Sequence, residues 1–168
     1  MWWVIGAMAV YGAIDESLQG FVGRSPAVSD YLANLLGIAL AMGLLSVFEF
    51  WSALLITAMA CVFVISNLSN LPLLYPQFHL NTVFHFTAYA GLTLIWIQHL
   101  ERYLPLRCNR AMWLAVALSL PVAMLAVVSI SGPWFGKTIW WTDVVTAAVG
   151  IVGAVLSSWL SFFVSLKR

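Results

Sequence analysis

The sequence predicts an all-α fold: a polytopic membrane helix bundle of about six transmembrane helices with a partial internal repeat. Two observations on composition and one on pattern lead there. Of 168 residues, 63% are apolar and 8% charged, against roughly 45–50% and about 25% in a soluble domain. The apolar residues gather into runs separated by short polar breaks, and several breaks carry helix-start residues. Seven basic and six acidic side chains give a net charge of +1. That leaves no basic footprint for a nucleic-acid partner, and none is expected.

Apolar runs are read at residues 1–18, 31–48, 50–67, 83–99, 111–131 and 143–165. The first is short, because Asp15 interrupts it before the roughly 17–25 residues of a full crossing. It can tilt, thin the bilayer or cross part-way. The second, fourth and sixth runs are preceded by Ser29-Asp30, Asn81-Thr82 and Thr142-Asp143, which are read as N-cap pairs. The fifth contains Pro121, tolerated in a membrane helix where neighbours satisfy the freed carbonyl. The N-terminal MWWVIGAMAVYGAIDE lacks the basic start and cleavage site of a signal peptide and is kept as structure. Trp2, Trp3, Trp51, Trp134, Trp140 and Trp141 fall near span ends and read as interfacial anchors.

Positive charge sets the direction. With six spans, one face holds Arg102, Arg107, Arg110, Lys167 and Arg168, and the other only Arg24 and Lys137. The positive-inside rule therefore predicts a multi-pass cell-membrane protein with both termini cytoplasmic. Segments 19–29, 68–81 and 132–142 then face outward. Asp15, Glu16, Asp30 and Asp143 fall at that outer boundary. Cys61 lies inside an apolar run and Cys108 in a basic loop on the side opposite the main motif, and both are expected to be reduced and isolated.

FVGRSPAVSDYLANLLG aligns with FGKTIWWTDVVTAAVG when the chain is slid by 113 residues with a one-residue gap after Phe21. Gly23 then falls on Gly136, Arg24 on Lys137, Asp30 on Asp143 and Gly37 on Gly150. Each copy reads as a turn, a cation, a capping acid and a glycine two helical turns on. A glycine there permits close helix approach, and the acid is favoured by the helix dipole. The first copy carries Asp15, Glu16 and Gln19 before its turn and Asn34 after it. The second has Val128, Ser129, Gly132 and Ala147 in those places. Both turns face outward, so the duplication runs in one direction, unlike the inverted repeat of many transporters.

These residues resemble the hallmarks of VanZ-like membrane proteins. Asp15-Glu16-x-x-Gln19, the Gly23-Arg24 turn and Asp30-x-x-x-Asn34-x-x-Gly37 match one motif, and His85-Phe86-x-x-Tyr89-x-x-Leu92 the other. The resemblance covers nearly the whole chain. It implies a two-helix half-unit over 1–48 and a four-helix unit over 50–168. The order is permuted: the acid motif is N-terminal and the His-Tyr motif belongs to the other copy. Asn81-Thr82 also replaces the charged pair that often precedes the family's histidine.

Because each copy has lost what the other keeps, one composite binding site is expected from Asp15, Glu16, Gln19, Arg24, Asp30, Asn34, His85 and Tyr89. Tyr11, Asp15 and Gln19 form one helical stripe, Asp30, Asn34 and Gly37 a second, and Thr82, His85 and Tyr89 a third. Each begins at the outer end of its helix and stops within about two turns. An ionisable group at that depth costs up to about 2.5–3.5 kcal/mol unless paired or wetted, which predicts a polar cleft open to the outside. Plainer roles stand beside this reading. Asp30 and Asp143 can serve as helix caps, Asp143 above all because its copy lacks the other polar groups. Arg24 can neutralise nearby acids, and His85 and Tyr89 can be packing residues.

Two functions follow. One is a non-catalytic protein whose cleft binds a membrane lipid or lipid-linked envelope precursor; the resemblance links it to glycopeptide resistance, particularly to teicoplanin. The other is a membrane-embedded enzyme acting on lipid or envelope head groups, with Glu16 or His85 as general acid or base and Arg24 holding a phosphate or carboxylate. No metal-ligand spacing, phosphate loop or nucleophile elbow occurs, so no metal and no cofactor is expected.

Overall fold

A computed structural model describes residues 28–68, 80–103, 110–137 and 140–165, together with Trp3, Gly6, Ala7, Val10, Tyr11, Gly12 and Ile14. The chain is all-α, and no strand occurs among the described residues. The seven described residues before position 28 are helical. Five bounded helices follow: α1 Val28–Val47, α2 Phe50–Leu68, α3 Leu80–Tyr103, α4 Arg110–Ser131 and α5 Trp141–Ser165, with a 3-10 turn Gly132–Phe135 after α4.

The second to sixth apolar runs each become a helix, and most of these helices extend past the run. Three segments are long and apolar enough to cross a membrane: Phe50–Asn67, Ala111–Phe135 and Trp141–Ser161. Large apolar side chains such as Val64, Leu114, Val122, Val149 and Leu156 point outward along them, while Asn67, His85, Thr93 and Asp143 are buried. Apolar outside and polar inside suits lipid as the solvent, and the chain is a membrane protein. The run at 83–99 differs. Its helix α3 falls outside the apolar-enough set because Asn81, Thr82, His85, Gln98, His99, Glu101 and Arg102 dilute it. It meets protein along much of its length, burying Tyr89, Leu92, Thr93, Ile97 and Leu100.

The helix-start expectation needs correction. Ser29-Asp30, Asn81-Thr82 and Thr142-Asp143 are not caps but the second and third helical residues of α1, α3 and, for Thr142-Asp143, α5. At α5 the Trp140 carbonyl accepts from the amides of Asp143 (2.9 Å) and Val144 (3.4 Å). Asp143 thus sits within the first turn of the helix, where the dipole favours an acid.

The chain divides into two compact units, Met1–Ala53 and Leu54–Arg168. In the first, a Cβ built on Gly12 would lie 3.9 Å from the Asn34 Cβ and the Tyr31 ring. The N-terminal helical segment therefore passes the Tyr31–Asn34 face of α1 in ordinary contact. At Gly37 no atom among the described residues lies within 4 Å of a Cβ placed there.

In the second unit, two apolar clusters fix the helix directions. Leu55, Val62, Tyr89, Leu92, Ala147 and Ile151 form one, with Met124 and Leu125 packed on it. Ile97, Ala117 and Val155 form the other. From the first cluster to the second, α3 and α5 advance in number while α4 retreats. So α5 runs parallel to α3, and α4 antiparallel to both. Gly150 makes the α3–α5 contact close, since a Cβ there would meet the Phe86 carbonyl oxygen at 2.5 Å. Here the glycine of the repeat does what the sequence permits. Pro121 is buried within an unbroken α4. It lacks the N–H that would bond the Ala117 carbonyl. One residue earlier, the Val116 carbonyl accepts the Trp96 indole N–H from α3 at 2.9 Å and the Ser119 hydroxyl at 2.7 Å.

Candidate functional site

The helix directions gather the unit's polar interior at one end. The end of α2, the start of α3, the end of α4 and the start of α5 share it. Three of the four buried polar or charged residues in the described chain, Asn67, His85 and Asp143, lie there. The fourth, Thr93, is deeper and donates to the Tyr89 carbonyl at 2.6 Å, within its own helix.

His85 and Tyr89 are one helical turn apart, so their rings share a face of α3. They stack with centroids 6.1 Å apart and planes 19° from parallel, and Phe84 meets the His85 ring edge-on at 5.4 Å. His85 is 7% exposed and Tyr89 fully buried. Close packing at Gly150 brings the start of α5 beside this face, and the Asp143 carboxylate acts electrostatically on the His85 imidazole. His85 Nδ1 and the Tyr89 hydroxyl are buried without a hydrogen-bond partner among the described residues, as is the Ser66 hydroxyl at the end of α2. Unsatisfied buried polar atoms cost about 1–3 kcal/mol each, and three of them lie at this end of the unit.

Beside them is a satisfied cluster. The Asn67 amide donates to the Phe63 carbonyl at 3.1 Å, and the Ser131 hydroxyl donates to Asn67 Oδ1 at 3.4 Å and to the Val128 carbonyl at 3.3 Å. These bonds tie the ends of α2 and α4 together. Phe63 meets Phe135 edge-on at 6.1 Å. Gly136 then closes the 3-10 turn in the left-handed region (φ 69°), its amide reaching the Pro133 carbonyl at 3.1 Å. The repeat's turn glycine is thus required by the backbone.

Of the expected site residues, the structure brings His85 and Tyr89 together. Asp15, Glu16, Gln19 and Arg24 lie outside the described residues. Asp30 belongs to the first turn of α1, and Asn34 is exposed on that helix in the first unit. Asp143, read mainly as a cap, is buried at the same end of the unit as the imidazole. Its alignment with Asp30 was the available signal. Asn67 and Ser66 were missed, since a serine and an amide ending an apolar run look like ordinary helix-end residues. His99 stacks on Trp96 (5.8 Å) and meets Tyr103 at a tilt (4.6 Å) at the other end of α3. No group of three or more potential metal ligands occurs among the described residues. Cys61 is a free, exposed thiol on α2, and Cys108 lies outside the described residues.

No family model, curated protein or solved structure matches this chain.

Proposed function

We propose that this is a multi-pass, VanZ-like membrane protein whose polar end binds a membrane lipid or lipid-linked envelope component without transforming it. The observation that carries the binding reading is the pair of buried, unpartnered atoms, His85 Nδ1 and the Tyr89 hydroxyl, with Asp143 buried at the same end of the unit. Such a set is expensive empty and useful when a ligand supplies the missing hydrogen bonds. The VanZ-like reading, and with it the link to teicoplanin resistance, is supported by the Asp15-Glu16-x-x-Gln19 and His85-Phe86-x-x-Tyr89 motifs. The positive-inside count supports cytoplasmic termini and an outward-facing polar end. Exposed Trp134, Trp140 and Trp141 around the α4–α5 connection suit a headgroup boundary there.

The test compares lipids co-purifying in mild detergent with wild type and with His85→Ala. A lipid class enriched in wild type and lost from the variant is expected; identical lipid complements would overturn the binding reading. Orientation is read by labelling intact cells with an impermeant maleimide, using Trp134→Cys in a background without Cys61 and Cys108. Labelling only after lysis would reverse the proposed topology.

The enzymatic alternative has one observation in its favour, the carboxylate acting on the imidazole, which is an arrangement used in acid–base chemistry. Turnover of a co-purified lipid that Asp143→Asn abolishes while lipid retention persists would favour it.

A further inference from the structure

We infer that Ser66 completes the site, and that the group bound there is an uncharged, hydroxyl-bearing headgroup such as a sugar, in preference to a phosphate or carboxylate. This rests on the binding reading above and specifies its ligand.

The register comes from the apolar core. Val62 of α2 and Tyr89 of α3 belong to the same buried cluster. The Asn67–Ser131 bond joins the α2 terminus to the α4 terminus, and α4 is antiparallel to α3, so α2 approaches the start of α3 as its numbers rise. One turn beyond Val62 is Ser66, and one turn beyond Tyr89 in the same direction is His85. Ser66 and His85 therefore each lie one turn past a residue of the shared core, toward the same end of the unit. Four buried side-chain atoms lack a hydrogen-bond partner among the described residues: Ser66 Oγ, His85 Nδ1, Tyr89 Oη and, at the far end of α3, His99 Nδ1. Three of the four thus fall at this end, on two helices that share a core. An isolated membrane-helix serine ordinarily returns its hydroxyl to a carbonyl one turn back, as Thr87, Ser119 and Ser161 do here. Ser66 does not.

The chemistry of these groups selects the ligand. Serine and tyrosine hydroxyls each donate and accept, and an imidazole nitrogen does either according to its tautomer. That set suits ligand hydroxyls, which also do both. An anionic ligand would face the acceptor-only Asp143 carboxylate, buried at the same end, and like charges repel strongly where water is scarce.

The test places the purified full chain in nanodiscs of phosphatidylcholine containing either monoglucosyl diacylglycerol or phosphatidic acid with the same acyl chains. Retention is read by native mass spectrometry. Wild type is expected to retain the glucosyl lipid over phosphatidic acid. Ser66→Ala is expected to weaken that retention roughly three- to tenfold, the loss of one hydrogen bond, with thermal stability unchanged or raised. A lowered melting temperature with unchanged retention would make Ser66 merely structural and overturn its assignment. Preference for phosphatidic acid would overturn the ligand class. Retention of neither probe, with a different lipid still lost on His85→Ala, would overturn the ligand class and leave the binding reading standing. If no lipid depended on His85, that reading would fail as well.

Discussion

Gly150 on α5 faces the Phe86 carbonyl of α3 so closely that a methyl group has no place: the added carbon would sit 2.5 Å from the oxygen and 3.3 Å from the Ala90 nitrogen. Both obstacles are backbone, so neither can swing aside. Gly150→Ala is expected to force α3 and α5 apart and cost about 1–3 kcal/mol, the usual range for overpacking. Gly153, three residues on, has nothing described within 4 Å of its Cβ direction. Gly153→Ala should be neutral or gain up to about 1 kcal/mol of helix propensity. Unfolding of the two variants in mixed micelles compares them directly, and equal stabilities would refute the close approach.

The α3–α4 contact has a polar fastening of its own. Trp96 gives its indole N–H to the Val116 carbonyl at 2.9 Å, beside the stretch that Pro121 deprives of a donor. Trp96→Phe keeps an aromatic ring to stack on His99 but removes the donor. A loss of about 0.5–1.5 kcal/mol is expected, with lipid retention unchanged because the polar end lies several turns away. A variant as stable as wild type would mean that the bond contributes nothing net.

Tyr89 separates packing from hydrogen bonding. Its ring belongs to the main core cluster while its hydroxyl is buried and unpartnered. Tyr89→Ala should cost about 3–5 kcal/mol, as large aromatic deletions do. Tyr89→Phe should leave stability unchanged or raise it, since it removes only an unsatisfied group. The same Phe variant should lose ligand retention. A clear fall in its melting temperature would show that the hydroxyl already has a structural partner.

The fold was legible in the sequence because lipid imposes a simple rule: long apolar stretches must become helices that satisfy their own backbones. The helix starts were read two or three residues late. Ser29-Asp30 and Thr142-Asp143 have capping chemistry, yet an acid within the first turn gains from the same dipole, and sequence does not distinguish the two placements. The repeat foresaw the turn at Gly136 and permitted the close approach at Gly150; at Gly37 no described neighbour lies near. The His85–Tyr89 face followed from helical periodicity alone. That Asp143 is the acid acting on His85 depends on α3 and α5 running parallel in contact, a long-range fact that no local pattern carries. Ser66 and Asn67 were invisible for the same reason: their meaning lies in what the neighbouring helices bring to the same end of the unit.

Burying His85 and Asp143 at one end of the unit sets function against stability. A buried acid costs several kcal/mol of desolvation that a neighbouring imidazole only partly offsets. Asp143→Asn keeps the shape and removes the charge, so it relieves the acid's desolvation but leaves His85 without its charged neighbour, and ligand retention should fall. The charge of Asp143 acts on the His85 ring, so the two positions should not behave independently. In a cycle of Asp143→Asn, His85→Leu and the double variant, the effects on stability are expected to depart from additivity by about 0.5–3 kcal/mol. Replacing both together should be milder than the sum of the single changes, because neither variant alone leaves the other group in an environment built for it. Additivity within about 0.5 kcal/mol would mean that the acid and the imidazole merely share one end of the bundle, and the site would then have to be explained by the hydroxyls alone.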